Sequence, residues 1–322
     1  MNMRLLPLAL ITLALSLSQG APLRAASIPA GQIPDNAKWV AHLDLDELQK
    51  TRVGETLARA ILDPQLGELA ARLRQTLGIG IDWRQIHGIT AYGTDLAKHP
   101  DDHTVLLVTS DLPLTQALQG AVALAGQGGA KGGPSPIQKF DQEGSSLYSF
   151  NGEGFATVTD KNLLVLAKSR PALSNAVLLL QGKGHPAAPS SIVGGNGSAP
   201  KEVLSVGLSD SFHQGLELPP QAQVLKRTDG ARLSLREAGD SLVAKLAIRA
   251  KAADVVEQLQ QALQGLMAIA SLGAGENPQV QQLLKGLKVD RQENEVGVAF
   301  QYPVSEVTRL IEARVPKKSA AR

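Results

Sequence analysis

Cysteine is absent from the 322 residues of this chain. Its absence excludes a disulfide framework, a cysteine nucleophile and metal sites built on thiolates. It also leaves no residue for the lipid attachment of a lipoprotein. Exported eukaryotic proteins of this size usually carry disulfides. The absence of cysteine, together with the export signal at the N-terminus, therefore indicates a protein of a bacterial envelope.

Aromatic residues and clustered charges are also scarce. Only 3% of the residues are aromatic, and Trp39 and Trp83 are too far apart in sequence to suggest a carbohydrate-stacking platform. The formal net charge is +2, and basic residues cluster only at Lys317, Lys318 and Arg322. Electrostatic binding to nucleic acid or anionic lipid needs clustered basic residues. The sequence therefore predicts neither partner, and we interpret the tail as a solvated end.

No hydrophobic run is long enough to cross a membrane. The N-terminal run, Leu5 to Leu17, is shorter than the roughly 20 apolar residues that a spanning helix needs. It follows Arg4 and precedes small residues up to Ala26, an order typical of a secretory signal peptide. Cleavage is predicted after Gly20 or near Ala26, and an uncleaved signal anchor is the alternative. We expect a periplasmic or extracellular protein with no transmembrane anchor after cleavage.

Composition predicts how the rest of the chain is organised. Glycine, proline and serine concentrate in residues 183–201, which we interpret as a linker. The predicted order is a signal peptide at 1–26, a first α+β unit at 27–182, this linker, a second α+β unit at 202–316 and a basic tail at 317–322.

Two sequence marks recur in the same order and indicate an internal duplication. Gln116–Gly120 and Gln261–Gly265 have the same five residues, and each follows an apolar strand-like run. Further on, residues 162–166 lead to Pro171 and a helical run, and residues 294–298 lead to Pro303 and another. The alternative is coincidence between helices rich in alanine, leucine and glutamine.

The pattern of apolar residues predicts antiparallel strands covered by helices. In 241–250 the even-numbered residues from Leu242 to Ile248 share one face, whereas Lys245 and Arg249 point away. A helix is predicted over 252–272. Its apolar stripe consists of Val255, Leu259, Ala262, Leu266 and Ala270.

An N-terminal helix is predicted from Asp44, which with Glu47 forms a capping box. We expect it to run to Ile61, and Asp63 to start a second helix that ends near Leu77. The predicted fold is α+β, with two similar halves, each an antiparallel sheet with helices packed on one face. The halves either share one sheet or lie side by side.

The segment His99-Pro100-Asp101-Asp102-His103 contains the candidate metal ligands. Two histidines and two carboxylates within five residues could hold a divalent cation. A proline-initiated turn between strands has the same composition for conformational reasons, and no further ligand is identifiable.

Two other polar motifs have simpler explanations. His42, Asp44 and Asp46 would share one face of a strand and could bind a metal, but Asp44 is already assigned as a helix cap. Ser198 and Lys201 have the S-x-x-K spacing of serine acyl-enzymes, but Pro200 and neighbouring glycines disfavour the helix that the motif needs. The chain has no nucleophile elbow, zincin, P-loop or dinucleotide-binding motif, so we predict no catalytic residue and no cofactor.

The sequence resembles a group of exported bacterial envelope proteins of unknown function. The residues concerned are Ile33-Pro34-Asp35-Asn36-Ala37, the strand that ends at Asp44, and the T-x-x-G-x-x-L pattern of Thr51, Gly54 and Leu57. The second half is similar to theirs in its order of strand, long helix, strand and final helix. No activity is established for that group, so the resemblance assigns no functional residue.

These observations lead to three hypotheses. The first is a non-catalytic exported envelope protein that acts as a binding or scaffolding module. The second is a carrier of an apolar ligand or lipid between membranes, because a sheet with helices on one face can open an apolar cleft. The third is a metal-dependent hydrolase that uses the His99–His103 segment.

Overall fold

The computed structural model describes residues 30–77, 82–96, 100–128, 135–142, 144–159, 162–188, 201–218, 220–273, 281, 284 and 286–314. The predicted signal peptide, the basic tail and residues 189–200 of the predicted linker lie outside the described residues.

Twelve antiparallel strands form one continuous sheet. They are β1 (Trp39–Asp44), β2 (Ile86–Gly93), β3 (Thr104–Ser110), β4 (Ile137–Gln142), β5 (Ser145–Phe150), β6 (Gly154–Val158), β7 (Leu163–Ala167), β8 (Leu204–Leu208), β9 (Thr228–Ala238), β10 (Ser241–Ala250), β11 (Leu287–Gln292) and β12 (Glu295–Pro303). Their order in the sheet is β11-β12-β10-β9-β8-β1-β2-β3-β7-β6-β5-β4.

Helices connect and cover these strands. They are α1 (Leu45–Gln49), α2 (Arg52–Leu57), α3 (Asp63–Leu77), α4 (Leu114–Gly128), α5 (Arg170–Leu180), α6 (Ala253–Gly273) and α7 (Val304–Arg314). The mixture of an antiparallel sheet and helices confirms the predicted α+β class. Among the described residues, no helix combines the length and apolar character needed to span a bilayer.

The two halves of the chain meet at the pair formed by β1 and β8, so they share one sheet. Val40 of β1 lies opposite Gly207 of β8 and opposite Tyr92 of β2. From this pair outward the strand order is β1-β2-β3-β7-β6 in the first half and β8-β9-β10-β12-β11 in the second. The orders correspond strand by strand, whereas β4 and β5 have no counterpart. The origin of this arrangement in a sequence duplication stays a prediction.

Side chains of the sheet point to two faces, and the strand registers carry each face across all twelve strands. We call the face of Val40, Tyr92 and Val105 the front face, and the opposite face the back face. In the first half α5 packs on the front face through Leu173 and Val177. On the back face α4 packs through its own buried leucines.

Helices on both faces of the first half go beyond the prediction, which placed them on one face only. The reason is visible in β7, whose sequence is apolar at every position. Leu163 and Val165 belong to the front core, and Leu164 belongs to the back core. A strand that is apolar on both sides needs cover on both sides, as strands buried between two layers do.

The second half has its core on the back face, under α6. Val255 and Leu259 of the predicted stripe are buried against Ile248 and Val296. The stripe does not continue to the end of the helix, since Ala270 is exposed. The side chain of Leu266 lies outside the described residues.

The predicted N-terminal helix is interrupted. Asp44 caps α1 as expected, because its Oδ1 accepts a hydrogen bond from the Glu47 amide at 2.8 Å. The helix then ends at Gln49, and Thr51 caps a new helix by accepting from the Gly54 amide at 2.9 Å. The continuous helix predicted to Ile61 is therefore wrong, because a second N-cap starts α2 after one and a half turns.

Candidate functional site

A cleft of about 910 Å³ opens on the front face of the first half. It lies between α5, the segments 34–36 and 183–185, and the 3₁₀ turn Pro100–His103. Binding pockets for small molecules typically have volumes of about 300–1,000 Å³. The cleft is large enough for such a ligand.

Apolar side chains from the sheet and α5 form the base of the cleft. Tyr92 and Val105 come from the sheet, and Ala176 and Leu179 from α5; all four are buried. Phe155 of β6 lies beside them. Burial raises the pKa of Tyr92, so its phenol stays neutral at physiological pH. This part of the cleft offers apolar contact and one neutral hydroxyl.

The segment Ile33–Ala37, on which the resemblance partly rests, builds one wall of the cleft. Pro34 forms an isolated bridge with Pro186, and the Asp35 amide donates to the His185 carbonyl at 2.9 Å. The Ala187 amide donates to the Ile33 carbonyl at 2.7 Å. Residues 185–187 come from the predicted linker, so the start of that segment packs on the first half.

Ser169 fixes the opposite wall by joining α5 to the turn Pro100–His103. Its hydroxyl donates to the Asp102 carbonyl at 2.6 Å and accepts from the Ala172 amide at 3.4 Å. An N-cap serine of this kind satisfies a backbone donor that the helix leaves unpaired.

The rim of the cleft carries both signs of charge. Lys168 Nζ lies 3.3 Å from Asp101 Oδ2 and 3.9 Å from Asp102 Oδ1. The guanidinium of Arg170 lies 4.5 Å from the centre of the Phe140 ring, a cation–π contact.

Three further basic or titratable groups surround the opening. Lys183, His103 and His185 line the cleft, and none of them has an ion-pair partner among the residues that the structure describes. The Asp35 carboxylate also lines it. The rim thus presents an uncompensated ammonium group beside an apolar base.

Three of the four candidate metal ligands, Asp101, Asp102 and His103, lie in the described part of the chain. His99 lies outside the described residues. Asp101 and Asp102 face Lys168, and His103 borders the cleft. In the described ranges no group of three or more histidine and acidic side chains is arranged to hold a metal ion. The three predicted ligands that the structure describes therefore contribute to the rim of the cleft and to its ion pair.

The side chains of His42, Asp44 and Asp46 do not point to a common metal position either. His42 Nδ1 lies 2.8 Å from Thr90 Oγ1, Asp44 caps α1, and Asp46 turns to another histidine. Burial lowers the pKa of His42 to about 4. His42 is thus a neutral histidine of the sheet interior.

Sequence reasoning missed an arrangement centred on His87. Its Nδ1 lies 2.9 Å from Asp46 Oδ1, and its Nε2 lies 3.0 Å from Asp111 Oδ2. Burial lowers the pKa of His87, but its interactions with the two carboxylates outweigh burial and the net shift is upward. The three residues are 24 to 65 positions apart in the chain, and no local pattern marks them.

Of the S-x-x-K motif, the structure describes Lys201. Lys201 Nζ donates to Glu47 Oε1 at 3.0 Å, and Lys50 donates to the same oxygen at 2.7 Å. Ser198 lies outside the described residues. Lys201 therefore serves an ion pair at the start of the second half.

Comparisons with known proteins find similarity among solved structures alone. No protein-family model matches the chain, and no curated protein matches it. The structure titled "Structure of crystal form III of TP0453" is 9% identical, covers 90% of this chain and 100% of its own, and has a TM-score of 0.48. Crystal form IV of the same protein is 10% identical, with coverages of 89% and 98% and a TM-score of 0.45. At these values no activity or ligand transfers to this chain.

Proposed function

We propose that this chain is a non-catalytic envelope protein, exported by its N-terminal leader, that binds a small amphipathic molecule in the cleft beside α5. The observation that carries the proposal is the combination of an apolar base with an unpaired ammonium group at the opening. An apolar pocket with a few polar groups at one end is the usual form of a ligand site.

The ligand chemistry follows from the lining. The apolar part of the ligand would lie against the apolar base of the cleft, beside Tyr92, Val105 and Leu179. Its polar or anionic end would lie near Lys183. Catalysis is not part of the proposal. Asp101 and Asp102 interact with Lys168, and His103 and His185 each line the opening without forming a described catalytic pair.

A second candidate function is transport of an apolar ligand or lipid between membranes. It is favoured by apolar surface outside the cleft, on the back face of the second half and at the end of α6. The exposed fraction is 37% for Leu233, 67% for Ile269 and 85% for Leu272. Contiguous exposed apolar patches mark interaction sites in soluble proteins, and the transport hypothesis requires these side chains to act as one surface.

The proposal is tested with a fluorescent fatty acid, dansyl-undecanoate, as the probe. The variant Asn175→Trp places an indole in the cleft from an exposed position of α5. The matched control is Glu257→Trp, at an exposed position of α6 away from the cleft. We expect saturable binding by the wild-type mature protein and by the control, and at least tenfold weaker binding by Asn175→Trp.

Equal binding by Asn175→Trp and the wild type would place the ligand elsewhere. Native mass spectrometry of the protein purified from its own envelope provides an independent measurement. A bound lipid that is lost in Asn175→Trp supports the carrier function, whereas a bound lipid retained in that variant points to the apolar surface near Leu233.

A further inference from the structure

The front face of the second half differs from that of the first half. In the first half α5, which follows β7, covers the front face. In the second half α7, which follows the corresponding strand β12, packs against α2 instead, and Arg59 pairs with Glu312 of α7 at 3.1 Å. Among the described residues, no helix corresponding to α5 covers the front-face side chains of β9 to β12.

Basic side chains occupy this uncovered surface, which we call the cationic face. Its members are Arg232, Arg236, Lys245, Arg249 and Lys288. Strand register places them on one side: Lys245 lies opposite Ser234, and Lys288 and Lys245 each lie opposite Ala299. Adjacent strands are about 4.8 Å apart, so the five cations spread over a surface four strands wide.

The cationic face carries net positive charge, whereas the second half of the chain as a whole is net negative. Residues 202–314 contain 12 basic and 14 acidic residues, a net negative composition. On the front-face positions of β9 to β12, the five cations are accompanied by two carboxylates, those of Asp290 and Glu295. Arg232 also pairs with Glu202 at 2.7 Å. Folding thus segregates positive charge onto one face.

The side chains between the cations are small. Ser234, Ala247, Gly297 and Ala299 occupy the neighbouring front-face positions. Lys245, Arg249 and Lys288 are exposed. None of the described large apolar side chains that are exposed lies among the front-face positions of these strands. Val243 lies on the same side, opposite Arg236, and is buried. The exposed part of the face therefore consists mainly of charged and small side chains.

We propose that the cationic face docks the protein on a membrane surface of anionic lipid headgroups. Protein–protein interfaces have an apolar core from which charged residues are depleted, and this face has the opposite composition. A headgroup layer is planar and negatively charged, and it requires only clustered basic side chains near its surface. The inference does not depend on the cleft or its ligand.

The test uses vesicles of phosphatidylglycerol and phosphatidylcholine, with pure phosphatidylcholine vesicles as the reference. We expect the wild-type mature protein to co-sediment with the anionic vesicles at 0.1 M salt and to dissociate at 0.5 M, because salt screens such contacts. The triple variant Lys245→Glu, Arg249→Glu, Lys288→Glu should lose affinity by about a hundredfold, since each basic residue near the surface contributes roughly fivefold.

The control is a triple variant with the same change in net charge away from the face: Lys139→Glu, Lys226→Glu, Arg314→Glu. Its residues are exposed and lie outside the front-face positions of β9 to β12. It should lose far less affinity than the first variant. Equal losses in both variants would overturn the proposal. So would wild-type binding that does not distinguish the two lipids, a result that stands even if a variant fails to fold.

A soluble polyanion distinguishes a lipid surface from an acidic polypeptide as the partner of the cationic face. If polyglutamate binds the cationic face while anionic vesicles do not, the partner is an acidic polypeptide and the lipid-surface proposal is wrong. The cleft variant Asn175→Trp should bind anionic vesicles as the wild type does, so failure of the ligand proposal and failure of this one are distinguishable.

Discussion

Gly54 lies so close to the carbonyl of Leu48 that no side chain fits between α1 and α2. A Cβ built at Gly54 would stand 1.8 Å from the Leu48 oxygen. The contact explains in physical terms the glycine of the T-x-x-G-x-x-L pattern.

Replacing this glycine tests the packing of α1 against α2. Gly54→Ala should destabilise the protein by about 2–4 kcal/mol, because the backbone of one helix has to move. Gly67→Ala in α3 is the control, since a Cβ there meets nothing within 4 Å. The control should be neutral or stabilising by about 0.5–1 kcal/mol. Urea denaturation measures both, and equal effects would refute the close contact.

His42 should make the protein sensitive to mild acid. Its folded-state pKa of about 4 lies below the ordinary value near 6.5, so the unfolded chain binds a proton more readily. Stability is therefore present above pH 6.5 and is lost as the pH falls towards 4. Between pH 7 and pH 5 the loss from this group is about 2 kcal/mol.

The variant His42→Asn removes that titration and keeps a polar group near Thr90. Its stability should fall less than that of the wild type between pH 7 and pH 5, whatever its stability at pH 7. Parallel pH profiles for the two proteins, measured by urea denaturation, would show that His42 is not a buried neutral histidine.

His87 should respond to pH in the opposite direction. Its pKa is raised in the folded state, so its stabilising contribution is complete below pH 6.5 and is lost as the pH rises through the folded value. His87→Gln should cost more stability at pH 5.5 than at pH 8.5. The difference should be about 1 kcal/mol or less, because Asp46 and Asp111 are partly exposed. A constant cost at both pH values would mean that His87 stays neutral.

Ser169 should influence both stability and ligand binding. Ser169→Ala removes the cap of α5 and the hydrogen bond to Asp102, and it should cost about 1 kcal/mol. Affinity for dansyl-undecanoate should also fall, because the turn Pro100–His103 is no longer held at the rim. Ser174→Ala, in the same helix and not in the cleft lining, should change neither quantity. Unchanged probe affinity in Ser169→Ala would separate the cap from the ligand site.

Structural features that depend on residues close together in the sequence could be predicted. Asp44 and Glu47 are three residues apart, and their capping interaction is present as expected. The alternation of residues 241–250 placed Lys245 and Arg249 on the face opposite Ile248, where the structure has them. The interruption at Thr51 was missed, since the apolar pattern continues across it and the cap depends on one hydroxyl.

The candidate site could not be predicted, since its parts are distant in the chain. The cleft joins Pro34, Tyr92 and Phe155 to α5, and each of these residues has an ordinary structural reading when taken alone. The cationic face was missed for the same reason. Its residues are spaced along separate strands, so the sequence shows no basic cluster and led us to exclude an anionic lipid partner.

By itself the sequence determined the strand at 241–250, the cap at Asp44 and the α+β class, because alternation and capping act between residues two to four positions apart. Only the tertiary structure decided that β1 pairs with β8, that His87 lies between Asp46 and Asp111, and that five cations share one face. Those relationships depend on strand register and on which helix covers which face, and both are set by the packing of the whole sheet.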